Sequence, residues 1–133
     1  MKKVFLLCAF ALGLGTQLAQ AQTITPENST DTLVNAATVN LNQTVRLSYV
    51  NFAFQVVLTK ISGTVAGTVI LQASLDGTNF VTVPGTDTLT LANVTTNNII
   101  WTLTSTPYLY YRAACTGSGT MSAKCFGYVL PKK

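Results

Sequence analysis

The chain has 133 residues, room for one domain and a short extra segment, and only 9% of them are charged against 48% hydrophobic. That balance excludes a disordered chain, which needs high charge and few apolar residues. The absence of histidine removes the usual general base, the Ser–His and Cys–His nucleophile pairs and most zinc sites, so neither an enzyme nor a cofactor is expected.

Met1-Lys2-Lys3 is a positive start, and residues 4–15 are an apolar run too short to span a bilayer. Ala19-Gln20-Ala21 is a small-x-small cleavage site. Residues 1–21 therefore read as a secretory signal peptide, with Gln22 as the new N-terminus and Cys8 removed with the peptide. Losing Lys2 and Lys3 takes the formal charge from +4 to +2. No dense basic stripe remains, so nucleic acid is not an expected partner. No later run is long enough to cross a membrane. The expected location is secreted or extracellular, at a cell surface or on a virion.

Residues 22–31 are polar and read as a flexible N-terminal arm. Residues 32–133 read as one β domain. Strands are expected over residues 32–41 and 44–50. Phe52, Phe54, Val56 and Leu58 then alternate with Ala53, Gln55, Val57 and Thr59, giving a strand with one strongly apolar face. Residues 63–67 form a turn, and 68–75 the next strand. Asp76-Gly77-Thr78-Asn79 is a tight hairpin signal, because Asp and Gly tolerate positive φ. Short strands follow at 80–83 and 88–91, separated by Pro84-Gly85. Residues 93–98 read as a polar loop and 99–104 as a strand whose Trp101 alternates with Ile99 and Leu103 toward the core. The last two strands, 108–116 and 120–130, flank Gly117-Ser118-Gly119 and read as a hairpin. About eight short antiparallel strands with Gly, Pro, Asn and Asp between them imply an all-β fold, a single β-sandwich of immunoglobulin-like or jelly-roll-like topology.

Residues 69–83 carry Ser74-x-Asp76-Gly77-x-Asn79-Phe80 at their turn, and a later strand carries Tyr110-Tyr111-Arg112-Ala113. This pair of features resembles β-sandwich modules of the discoidin-like and carbohydrate-binding type. It is also similar to hairpins of virion-surface proteins of tailed phages. The resemblance implies a sandwich fold and assigns no binding residue.

The acids of the mature chain are Glu27, Asp31, Asp76 and Asp87. The last two sit in turns, where Asp is a turn former. A calcium site from Asp76, Asn79 and Asp87 has the right donor atoms but no recognisable motif spacing. Asn28, Asn42 and Asn93 fit glycan-acceptor spacing, as expected by chance in a chain this rich in Asn and Thr.

With Gly117-Ser118-Gly119 as a hairpin loop, Thr116 pairs with Thr120. One face then carries Tyr111, Ala113, Cys115, Met121, Ala123 and Cys125, and points into the core. The other carries Tyr108, Tyr110, Phe126 and Tyr128 as an aromatic ladder, ending in Arg112 opposite Lys124. That ladder is the candidate binding surface for a glycan or a protein partner. The same register sets Cys125 four residues along the pair from Cys115, roughly 13 Å away, so the two are expected as free core thiols. Export, low surface charge and the lack of a catalytic constellation point to a structural or adhesive module acting by self-assembly or a protein partner. The alternative is a carbohydrate-binding module that takes a surface glycan on the aromatic ladder. N-terminal sequencing of exported material is expected to read from Gln22; a product that retains Met1, or is acylated at Cys8, would contradict the signal peptide.

Overall fold

The structure is a computed structural model and describes residues 25–27, 31–44, 51–104 and 107–132. The signal-peptide segment, most of the expected arm and residues 45–50 lie outside the described residues. Ten strands are present among those described: β1 (Thr25–Glu27), β2 (Thr32–Val34), β3 (Thr38–Thr44), β4 (Asn51–Gly63), β5 (Gly67–Ser74), β6 (Val81–Thr82), β7 (Leu89–Leu91), β8 (Thr96–Leu103), β9 (Tyr110–Gly117) and β10 (Met121–Lys132). They form two antiparallel sheets, β1-β10-β4-β8 with β2 also on β10, and β3-β9-β5-β6 with β7 also on β5. The fold is a β-sandwich.

The alternation that defines β4 survives intact. Phe52, Phe54, Val56 and Leu58 are buried, and the residues between them are half-buried on the outer face. Facing them across the sandwich are Leu41 of β3, Leu71 and Ala73 of β5, and Tyr111, Ala113 and Cys115 of β9. Phe52 meets Tyr111 edge-on at 4.7 Å between centroids, and Phe54 meets Trp101 at 6.1 Å. Such pairs add about 0.5–1.5 kcal/mol beyond the burial of their area. Trp101 is in the core, as its spacing indicates, and its Nε1 donates to the Asp87 carbonyl at 2.8 Å.

Several expected elements shift. The strand expected over 32–41 splits at Asn35, which takes a left-handed φ of 52°. That turn carries the chain from the first sheet into the second, so β2 and β3 lie in different layers. Thr25–Glu27, within the expected arm, adds a short strand to β10. The polar loop expected over 93–98 is shorter, because β8 starts at Thr96. Asn97 is buried there and holds Ala92 through both its backbone groups, with Oδ1 accepting from the amide and Nδ2 donating to the carbonyl.

The largest correction concerns the last two strands. β9 pairs with β3 and β5, whereas β10 pairs with β4, β1 and β2. Gly117-Ser118-Gly119 does not close a hairpin; it crosses from one sheet to the other. Two neighbouring crossings, residues 34–38 and 63–67, hold it in place. Gly117 N donates to the Ala37 carbonyl, Ser118 N to Ala66, Thr64 N to Thr120 and Asn35 N to Met121, all at 2.9–3.0 Å. Asn35 Oδ1 in turn accepts from Met121 N at 3.3 Å. Cys115 and Cys125 are free and buried, but the distance argument for that state falls with the hairpin register. Their side chains meet across the sandwich.

Gly117 sits so tightly in this junction that a Cβ would lie 2.2 Å from the Asn35 carbonyl oxygen, whereas one on Gly119 would meet nothing. Gly117→Ala must displace backbone and is expected to cost about 3 kcal/mol. Gly119→Ala should cost only the roughly 1–2 kcal/mol of a left-handed backbone. Chemical denaturation of the two variants checks the ordering.

Candidate functional site

Inward and outward positions of β9 and β10 fall as the alternation demands, but the candidate ladder does not exist as one surface. Tyr110 and Arg112 lie on the outer face of the second sheet, and Lys124, Phe126 and Tyr128 on the outer face of the first. Tyr108 precedes β9 and is half-buried against the core, its ring 6.0 Å edge-on from Tyr111. Arg112 and Lys124 therefore do not face each other. The physical reason is that alternation fixes which face a side chain takes within its strand, not which sheet the strand joins.

Cross-strand register arranges the outer face of the second sheet in rows. Thr44, Tyr110 and Ser74 stand side by side, then Asn42, Arg112 and Gln72, then Asn40, Ala114 and Ile70. The β5–β6 loop folds back over one end of these rows. A Cβ on Gly77 would lie 3.3 Å from the Tyr110 ring, and the Arg112 guanidinium sits 4.0 Å over the Phe80 ring. Arg112 Nε also donates to Gln72 Oε1 at 2.7 Å. The result is a cleft of about 410 Å³ between β3, β9 and the loop, lined by Asn40, Asn42, Thr44, Thr78, Phe80, Tyr110 and Arg112 among others.

Asn40 also carries a polar atom with no partner among the described residues, its buried side-chain oxygen. A buried acceptor without a partner carries a desolvation cost of about 1–3 kcal/mol. Sequence reasoning missed this site because its residues come from three separated segments. The signal available was the run Thr38, Asn40, Asn42 and Thr44, which alternates with Val39, Leu41 and Gln43 and marks a polar outer face.

The loop that walls the cleft is built on Asp76. Its Oδ1 accepts from the amides of Thr78 and Asn79, both at 2.8 Å, and from Ser74 Oγ at 2.7 Å, while Oδ2 accepts from Asn79 Nδ2 at 2.7 Å. Ser74 Oγ also accepts from the amides of Asp76 and Gly77. The carboxylate is thus engaged by the turn itself. Among the described residues no group of three or more His, Cys, Asp or Glu side chains is assembled. Nor is any helix among them long and apolar enough to cross a membrane.

The Asn79 amide, then the Ser74 hydroxyl and the Thr78 amide, hold the Asp76 carboxyl well below the usual carboxylate range. A lowered folded-state pKa means the stabilisation is complete above the ordinary value of 3.8. It is lost as pH falls from there through the depressed value. Protection of the Thr78 and Asn79 amides, taken as their exchange relative to the intrinsic rate at each pH, is expected to be high at neutral pH and to be lost as pH drops below that point. Asp76→Ala should show low protection at both ends, so a wild type whose protection does not change with pH would contradict the assignment.

No family model matches the chain, and no curated protein matches it. A solved structure described as "Family 16 Carbohydrate Binding Module-2" is similar over 71% of this chain and 70% of that chain, at 14% identity and a TM-score of 0.41. A likeness of that size gives no correspondence between residues, and the cleft rests on its own geometry.

Proposed function

We propose that the chain is an exported, non-catalytic module that binds carbohydrate in the cleft on the outer face of the second sheet. The observation that carries this reading is the cleft itself, which gathers the amides of Asn40, Asn42 and Gln43, the hydroxyls of Thr44 and Thr78, the Phe80 and Tyr110 rings and the Arg112 guanidinium around one concave space. A sugar offers hydroxyls that donate and accept, and amide side chains offer both functions at fixed spacing. Its C–H faces pack on the face of an aromatic ring such as that of Tyr110. The cleft volume lies within the range of small-ligand sites, roughly 300–1,000 Å³. Arg112, held by Gln72 and Phe80, presents its remaining donors to the same space.

Retention on immobilised polysaccharides tests the proposal. Wild-type protein is expected to be retained and to be released by the matching free sugar. Tyr110→Ala and Asn40→Ala should each weaken binding about tenfold, a loss on the order of 1.4 kcal/mol. Asn40→Ala should do so with little loss of stability, because the oxygen it removes has no partner to lose. Binding that survives both substitutions places the glycan elsewhere.

A second reading, an adhesive or self-assembling module, draws on the outer face of the first sheet. There Phe126 stands beside Val57, Tyr128 beside Gln55, which in turn stands beside Ile100, and Leu130 beside Ala53. Ile100 is 61% exposed, and Lys124 Nζ lies 5.4 Å over the Phe126 ring at the border of this apolar band. Sedimentation at rising concentration separates the two readings. Self-association removed by Ile100→Glu, with polysaccharide retention unchanged, would assign assembly to this face and leave the cleft to the glycan.

A further inference from the structure

The function does not use Cys115 and Cys125, yet the fold brings them together. Cys115 lies in β9 between Val39 and Val69, and Cys125 lies in β10 beside Leu58. They belong to opposite sheets, point inward, and are both fully buried. Packed sheets ordinarily stand about 10 Å apart, too far for a disulfide, whose Cα atoms are about 5.5–6 Å apart. Here the facing residues are small. Ala113, Ala123 and Gly127 flank the two cysteines, and a Cβ on Gly127 would lie 3.4 Å from Leu41 Cβ of the other sheet. Cα atoms of β10 come within 8 Å of those of β3 in the opposite sheet. The ionisation of each thiol is governed first by the other, and Cys125 Sγ lies 4.0 Å from the Ala123 carbonyl oxygen.

We propose that Cys115 and Cys125 are a cross-link site, and that they form an inter-sheet disulfide when the chain folds in the presence of a small-molecule disulfide oxidant. The first thiolate attacks the oxidant and forms a mixed disulfide, releasing one oxidant thiolate. The second cysteine, deprotonated, attacks the protein sulfur of that mixed disulfide. The Cys115–Cys125 bond forms and the second oxidant thiolate leaves. Two protein thiols lose two protons and two electrons, and one oxidant disulfide becomes two thiols. The exchange belongs to folding and not to the finished domain. Once the sheets close, the neighbouring Cys125 and burial push the Cys115 thiol up, and no oxidant reaches it. The signal peptide read from residues 1–21 implies a compartment where such oxidants are present.

Tryptic cleavage after Arg112 and Lys124 puts the two cysteines in separate peptides, which makes the test direct. The full chain is refolded from denaturant with a mixture of oxidised and reduced glutathione, alkylated in denaturant without reduction, and digested. The expected product is a pair of peptides, 113–124 and 125–132, joined until reductant is added. The intact monomer should be lighter than the reduced one by two hydrogens, and its melting temperature should fall by a few degrees on reduction. Separate alkylated peptides from folded protein would overturn the proposal. So would linkage of either cysteine to Cys8 or to a second chain, or an oxidised product that lacks the near-ultraviolet circular dichroism of the reduced fold. The readout does not involve the cleft, so failure here leaves the glycan reading standing.

Discussion

The sandwich depends on the hydrogen-bonded junction at one of its ends. Three segments cross between the sheets there, and each supplies the backbone partners its neighbours lack. Residues around Asn35 serve Met121 and Gly117, those around Thr64 serve Thr120, and Ser118 returns a bond to Ala66. Crossing segments lie outside the sheet ladders, so these amides and carbonyls would otherwise lack a backbone partner. Side-chain-free positions make the close approach possible. A Cβ on Gly63 or Gly67 would lie 2.2 or 2.0 Å from a carbonyl oxygen of the third crossing. With this end fixed, β3, β4, β5, β9 and β10 all leave it with their apolar positions facing inward, and the core assembles between them.

This junction also separates what could be read from the sequence from what could not. Period-two alternation identified the inward residues of β4, β9 and β10, and all of those named from β9 and β10 are buried. The Asp76 turn was legible as a local event marked by Asp, Gly and Asn within four residues, although the loop spans residues 75–80 and Gly77, not Asp76, takes the positive φ. Strand pairing is not local. A short Gly-Ser-Gly segment suits a hairpin and an inter-sheet crossing alike, and nothing in the alternation of β9 or β10 distinguishes them. The choice is made by Asn35, Ala37, Thr64 and Ala66, which are remote in sequence. Once the pairing changed, six residues expected on one face were distributed over two outer faces and the core edge. The two thiols expected far apart became neighbours.

The two outer faces differ in character for the same topological reason. β3, β9 and β5 bring Thr, Asn, Arg and Gln into register, and the folded-back loop turns that polar grid into a concave site. β10, β4 and β8 bring Phe126, Val57, Tyr128, Ile100 and Leu130 together on a face without such a wall. A domain with so few charges must distinguish its surfaces by the placement of amides, hydroxyls and rings. It does so by sheet.

The same scarcity governs how its charges are settled. Lys60 Nζ donates to Asn93 Oδ1 at 2.9 Å, Arg112 rests on Gln72 and Phe80, and Lys124 lies over Phe126. Asp76 is satisfied by a hydroxyl, two amides of the backbone and one of a side chain. Each of these ions is held by a neutral dipole or a ring at short range. Mobile ions screen the attraction between exposed opposite charges over a Debye length of about 8 Å at physiological ionic strength, but they act far less on contacts made at hydrogen-bond distance. The electrostatic contribution of these contacts to stability therefore depends little on ionic strength.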